Sequence, residues 1–168
     1  MTKTALLVVD VQKGFINEHT AHIPALIQAL LPSYQTIFAT RFYNPEGSNY
    51  RRLLKWHRFS LESPDIELAF TPTENVRIID KPIYTCVNDT FLGMLDELAI
   101  TDIHIVGIDT DICVSKCAVD LFERGRTPFV LANYCASHAG PDFHKAALQI
   151  IARYIGQRQI ISYVLRTE

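Results

Sequence analysis

"ALLVVDV", residues 5–11, decides the fold. It is apolar at every position but Asp10, whereas a strand with one wet face would alternate. An unbroken apolar run with β-branched residues reads as a strand covered on both faces, the habit of parallel sheets flanked by helices. Further short β-branched runs follow: "QTIFATRF" (35–42), "NVRIID" (75–80), "DIHIVGI" (102–108), "TPFVLAN" (127–133) and "RQIISYVL" (158–165). Helical patterns separate them. "IPALIQALLPSY" (23–34) is one, and "NDTFLGMLDELAI" (88–100) opens on capping residues. "ICVSKCAVDLFER" (112–124) stops at Gly125, and "PDFHKAALQIIARYIG" (141–156) runs from a proline to a glycine. Six strands alternating with helices predict an α/β protein, a single-domain three-layer α/β/α sandwich with a mostly parallel, Rossmann-like sheet. Residues 43–73 are too long for a simple connection and are expected to form a functional loop or carry a short helix.

Composition narrows the function. The 168 residues suit one domain with a sizeable core. A net charge of −2 without a basic block gives nucleic acid nothing to bind. No apolar run reaches bilayer length, so no membrane partner is expected. The N-terminal run breaks at Asp10 with no small-residue cleavage site after it, unlike a signal peptide. These features predict a cytoplasmic protein. Cys86, Cys113, Cys117 and Cys135 are then expected as free thiols.

In an open parallel sheet, ligands bind beyond the carboxyl ends of the strands. The strand ends carry Asp10, Arg41, Tyr43, Lys81, Asp109 to Cys113, and Asn133 to Ser137. Cys113 follows a strand and opens a helix, where backbone N–H groups and the helix dipole would favour a thiolate. As a nucleophile it competes with the common fate of a free cysteine, a small buried hydrophobe. Cys117, one turn further in, reads as core. The Cys113–Cys117 spacing suits neither a zinc site nor a Cys-x-x-Cys redox pair, and the six histidines form no metal spacing. Asp10, ending an apolar strand, is either a general base or a turn cap. Lys81 gains interest only beside it, as the cation that would keep such a carboxylate ionised.

These motifs resemble the isochorismatase-like cysteine hydrolase family, which includes nicotinamidases and N-carbamoylsarcosine amidohydrolases. "ALLVVDVQKGF" is similar to that family's D-x-Q-x-x-F opening, supplying Asp10, Gln12 and Phe15. "IIDKPIYTCVNDTFL" matches its lysine segment at Lys81 and Thr90, and "IVGIDTDICVSKCAVDLFERG" its cysteine signature. The resemblance implies a triad of Asp10, Lys81 and Cys113, hydrolysing a small amide, ureide or carbamoyl compound through a thioester. It also implies a cis peptide at Ile108–Asp109 and an oxyanion hole of the Asp109 and Cys113 backbone N–H groups. The Asp109 side chain then has no catalytic part. Phe15, Arg41 and Tyr43 are candidates for substrate binding, Arg41 as anchor for a carboxylate. The Asp-x-His metal motif of nicotinamidases has no counterpart in "TRFYNPEGSNY" (40–50), so no metal or other cofactor is expected. Two alternatives stand: a vinyl ether hydrolase acting on an isochorismate-like substrate, and a silent family member serving as a binding module. The resemblance implies a homo-oligomer, a dimer or tetramer.

Overall fold

A computed structural model describes residues 3–162. Six strands, β1 (Lys3–Val9), β2 (Ile37–Phe42), β3 (Val76–Lys81), β4 (Ile100–Ile108), β5 (Thr127–Ala136) and β6 (Ile160–Ile161), form one sheet in the order β3-β2-β1-β4-β5-β6. Every neighbouring pair is parallel. The sheet was expected to be mostly parallel and is wholly so. The expected sixth strand spans two of its residues; 163–165 lie outside the described residues.

Helices α1 (Ile23–Leu30), α2 (Asn49–Arg52), α3 (Asp89–Glu97), α4 (Ser115–Glu123) and α5 (Pro141–Ile155) connect or flank the strands. The sheet separates two cores. On one side Leu7, Phe38, Ile105 and Val130 pack with Phe91, Leu121 and Ile151 of α3, α4 and α5. On the other, Leu6, Val8, Val106 and Leu131 meet Ile23 and Ile27 of α1. Ala5 through Val9 are wholly buried, as a strand covered on both faces must be.

Boundaries moved where local chemistry overrode periodicity. α1 stops at Leu30 and gives way to a short 3₁₀ turn at Leu31–Ser33, which contains Pro32. Asn88 caps α3, its Oδ1 accepting from the Phe91 N–H at 2.9 Å. The helix expected over 112–124 begins differently: Thr110–Val114 form one wide π turn, in which the Val114 N–H bonds to the Asp109 carbonyl at 3.0 Å. β5 runs past the expected Asn133 to Ala136, and the β4–β5 register shifts between Ile105 and Gly107.

Gly107 sits where β4 approaches β1. Its φ is +124°, and a Cβ built there would lie 2.1 Å from the Val9 carbonyl oxygen. Backbone cannot yield as a flexible side chain does. Gly107→Ala is therefore expected to destabilise the protein by about 3 kcal/mol or more, measured by denaturant unfolding.

The sheet order reverses direction between β1 and β4, and beyond their carboxyl ends such a fold opens its crevice. Among the described residues no helix is long and apolar enough to cross a membrane.

Candidate active site

Asp10 leaves the end of β1 with φ +48° and a wholly buried side chain. An isolated carboxylate there would be costly, so it must be partnered. Lys81, at the end of β3, supplies the partner. Its Nζ donates to Asp10 Oδ2 at 2.7 Å and to the carbonyls of Ile83 and Tyr84 at 3.1 and 3.0 Å. All three ammonium protons are used. Strand β2 lies between the two, and Thr40 bridges the gap: its Oγ1 donates to Asp10 Oδ1 at 2.6 Å and accepts the Asp10 N–H at 3.1 Å. Burial is the largest single influence and would lower the Lys81 pKa, but the Asp10 charge and hydrogen bond, with Cys113 and Cys117 adding to them, together hold Lys81 above the ordinary lysine value.

Cys113 lies in the π turn, buried beside this pair. The helix terminus favours a thiolate, but stronger influences oppose it. Burial and then the Asp10 carboxylate push the thiol well above the usual cysteine value, and the opposing pull of Lys81 is insufficient. The thiol is thus favoured over the thiolate, with the Asp10 carboxylate among the causes. Cys117 is wholly buried in the core behind it, where its thiol and that of Cys86 interact.

A cavity of about 240 Å³ opens onto Cys113. Asp109, Ile112 and His138 line it together with Cys113. Phe15, Phe42, Tyr50, Leu54, Trp56 and Tyr84 form the remaining wall. Residues 43–73 thus contain both a loop and a short helix, α2, and they carry three of these groups. Gln12 ties this segment to the sheet. Its Oε1 accepts the Phe42 N–H at 2.8 Å, while its Nε2 donates to the carbonyls of Phe42 and Ile66 at 2.9 and 3.0 Å. The rings brace one another: Phe42 stacks on Trp56 at 5.8 Å and Tyr50 meets Tyr84 edge-on at 5.1 Å.

Of the residues expected to bind substrate, Phe15 lines this cavity; Arg41 and Tyr43 do not. Arg41 instead forks onto Asp80 of β3, with Nε to Oδ1 at 2.7 Å and a terminal nitrogen to Oδ2 at 2.9 Å. The physical reason is strand alternation. Successive side chains point to opposite faces, so Phe42 faces the cavity while its two neighbours turn away.

The Ile108–Asp109 peptide is cis. The Asp109 carboxylate, expected to be idle, holds His138: Oδ1 accepts the His138 backbone N–H at 2.7 Å and Oδ2 lies 2.5 Å from Nδ1. Sequence reasoning does not mark His138, because the apolar run of β5 reads as ending at Asn133; a strand ending at Ala136 brings His138 within the residues that follow it. It passed over Thr40 because a threonine inside a strand looks like ordinary β propensity.

The end of β2, where the resemblance would place a metal motif, does not fit a metal. Phe42 is packed among aromatic rings, and Asn44 spends its amide on the Trp56 and Arg58 carbonyls and on Ser48. Among the described residues no group of three or more histidine, cysteine or acidic side chains is disposed to hold a metal ion.

A parallel α/β sheet with a buried acid, a buried lysine and a cysteine gathered beyond its strand ends defines a hydrolytic enzyme of the cysteine hydrolase class. The chain belongs to the isochorismatase family: the isochorismatase domain model matches residues 4–167. Among solved structures it is similar to the nicotinamidase of Staphylococcus aureus, with 26% identity and a TM-score of 0.76 over 98% of this chain and 100% of that one. It is also similar to the Bacillus subtilis nicotinamidase, with 24% identity, a TM-score of 0.80 and coverage of 96% and 100%. The N-carbamoylsarcosine amidase of Thermoplasma acidophilum shares the fold at 20% identity and a TM-score of 0.73, covering 90% and 94%. No curated protein matches the chain.

Proposed function

We propose that this enzyme is a metal-independent amidohydrolase that cleaves the C–N bond of a small, flat amide, ureide or carbamoyl compound through a thioester on Cys113. The observation that carries this is a buried thiol that lines an aromatic cavity and lies beside an ion-paired carboxylate. A thiol pushed above its usual value needs a base in contact with it, and Asp10 is that base. As Sγ forms its bond to the carbonyl carbon, the thiol proton passes to Asp10. The developing oxyanion is held by the backbone N–H groups of Asp109 and Cys113. Asp10 returns the proton to the leaving nitrogen as the C–N bond breaks, then takes one from water as hydroxide adds to the thioester. The acid departs and the thiol is restored. Lys81 offsets the Asp10 charge and fixes its orientation, with Thr40 holding the other oxygen. Apart from His138 the cavity lining carries no cation, and its stacked rings suit a planar substrate. Retention of the thiol supports C–N hydrolysis over vinyl ether hydrolysis.

A panel of amides, ureides and carbamoyl compounds, followed by ammonia release, tests this reading. Intact-mass measurement on rapid quenching is expected to find the acyl group of the active substrate on Cys113. Turnover that persists within tenfold of wild type in Cys113→Ala would refute the thioester.

A further inference from the structure

His138 shares the cavity with Cys113 but takes no part in the Asp10–Lys81 pair. Both oxygens of the buried Asp109 carboxylate are spent on it, one on its N–H and one on Nδ1. That arrangement keeps a proton on Nδ1 and leaves Nε2 free to act. Among the described residues Nε2 makes no hydrogen bond, and the side chain is 43% exposed. The ring lies against Phe15 at 5.7 Å, and the His138 carbonyl accepts from Asn17 Nδ2 at 2.8 Å, so neighbours fix both its plane and its backbone.

We propose that His138 determines which amides the cavity accepts, donating from Nε2 to a hydrogen-bond acceptor on the substrate, a carboxylate or a ring nitrogen, away from the scissile amide. This rests on the amidohydrolase reading above. The charged groups facing the ring are Asp109 at the end of β4, Asp111 in the π turn and Arg58 in the 43–73 segment. The hydrogen bond to Asp109 raises the imidazole above the ordinary histidine value; burial and Arg58 oppose it without reversing it. The donor form therefore persists to higher pH, and affinity for an acceptor falls as pH rises through that raised value. A charge-assisted hydrogen bond in a largely apolar cavity is a strong discriminator.

Three ¹³C-labelled aldehydes test this: benzaldehyde, 3-formylbenzoate and pyridine-3-carbaldehyde. Each can form a thiohemiacetal, in which Sγ bonds to the carbonyl carbon and the thiol proton ends on the oxygen, and ¹³C NMR reads it directly. At pH 6 one acceptor-bearing aldehyde is expected to bind roughly tenfold tighter than benzaldehyde, the size of a good hydrogen bond. Preference for formylbenzoate identifies a carboxylate as the acceptor, and preference for the pyridine a ring nitrogen. His138→Leu should abolish the preference. His138→Gln, which offers an N–H without titrating, should keep it and remove its pH dependence. Equal binding of all three aldehydes, or a preference that survives His138→Leu, overturns the proposal while leaving Cys113 as nucleophile. Failure of every aldehyde to add to Cys113 overturns the nucleophile and this proposal together.

Discussion

Cys113→Ala is expected to lower kcat/KM by about 10⁴-fold or more, because removing a nucleophile leaves only binding and oxyanion stabilisation. Asp10→Asn should cost a similar factor for a different reason. The resting thiol is held protonated by burial and by Asp10 itself, so the nucleophile exists only while a base accepts its proton, and an amide cannot. The two residues act as one device. Their losses should therefore not add: the double variant is expected to be little worse than either single one. Ammonia release on the best substrate of the panel measures all three. Activity within tenfold of wild type in either single variant would sink the assignment, and additive losses would show that the two act independently.

Lys81→Met carries the largest expected effect on stability. Lys81 and Asp10 have side chains 3% and 0% exposed, so removing the cation strands a carboxylate in the core. Breaking such a pair from one side costs roughly 3–5 kcal/mol, whereas replacing both partners with neutral groups is often nearly free. Asp10→Asn combined with Lys81→Met should therefore recover most of the lost stability and none of the activity. Denaturant unfolding at pH 7 gives the comparison; a double variant as unstable as Lys81→Met would refute the ion-pair account. The sign of the pH dependence follows from the raised Lys81 value. Its contribution is complete below the ordinary lysine pKa and is lost as pH rises through the folded one, so Lys81 should leave stability level across neutral pH and weaken it in alkali.

Much of this was legible in the chain. The apolar run at residues 5–11 could be satisfied only by a strand buried on both faces, and that implied helices above and below. Asp10, Lys81 and Cys113 stood out because each breaks or ends such a run, where a parallel sheet opens. Other features hid for identifiable reasons. Arg41 and Tyr43 looked promising as strand-end residues, but alternation gave the cavity to Phe42 between them. Thr40 and His138 act through partners 30 and 29 positions away, a separation that no local pattern encodes. Trp56 and Tyr50 lie in a segment without periodicity, and they pack on Phe42 and Tyr84 from elsewhere in the chain.

By itself the sequence determined the layered parallel architecture, through the distribution of apolar residues, and singled out three candidate side chains at strand ends. Only the tertiary structure decided their chemistry. The cysteine pKa illustrates why. Position at a helix start argues for a thiolate, but burial and a neighbouring carboxylate argue more strongly for a thiol. Desolvation and charge proximity depend on what surrounds an atom in three dimensions, and Asp10, more than a hundred residues away in the chain, becomes the neighbour that sets the state of Cys113.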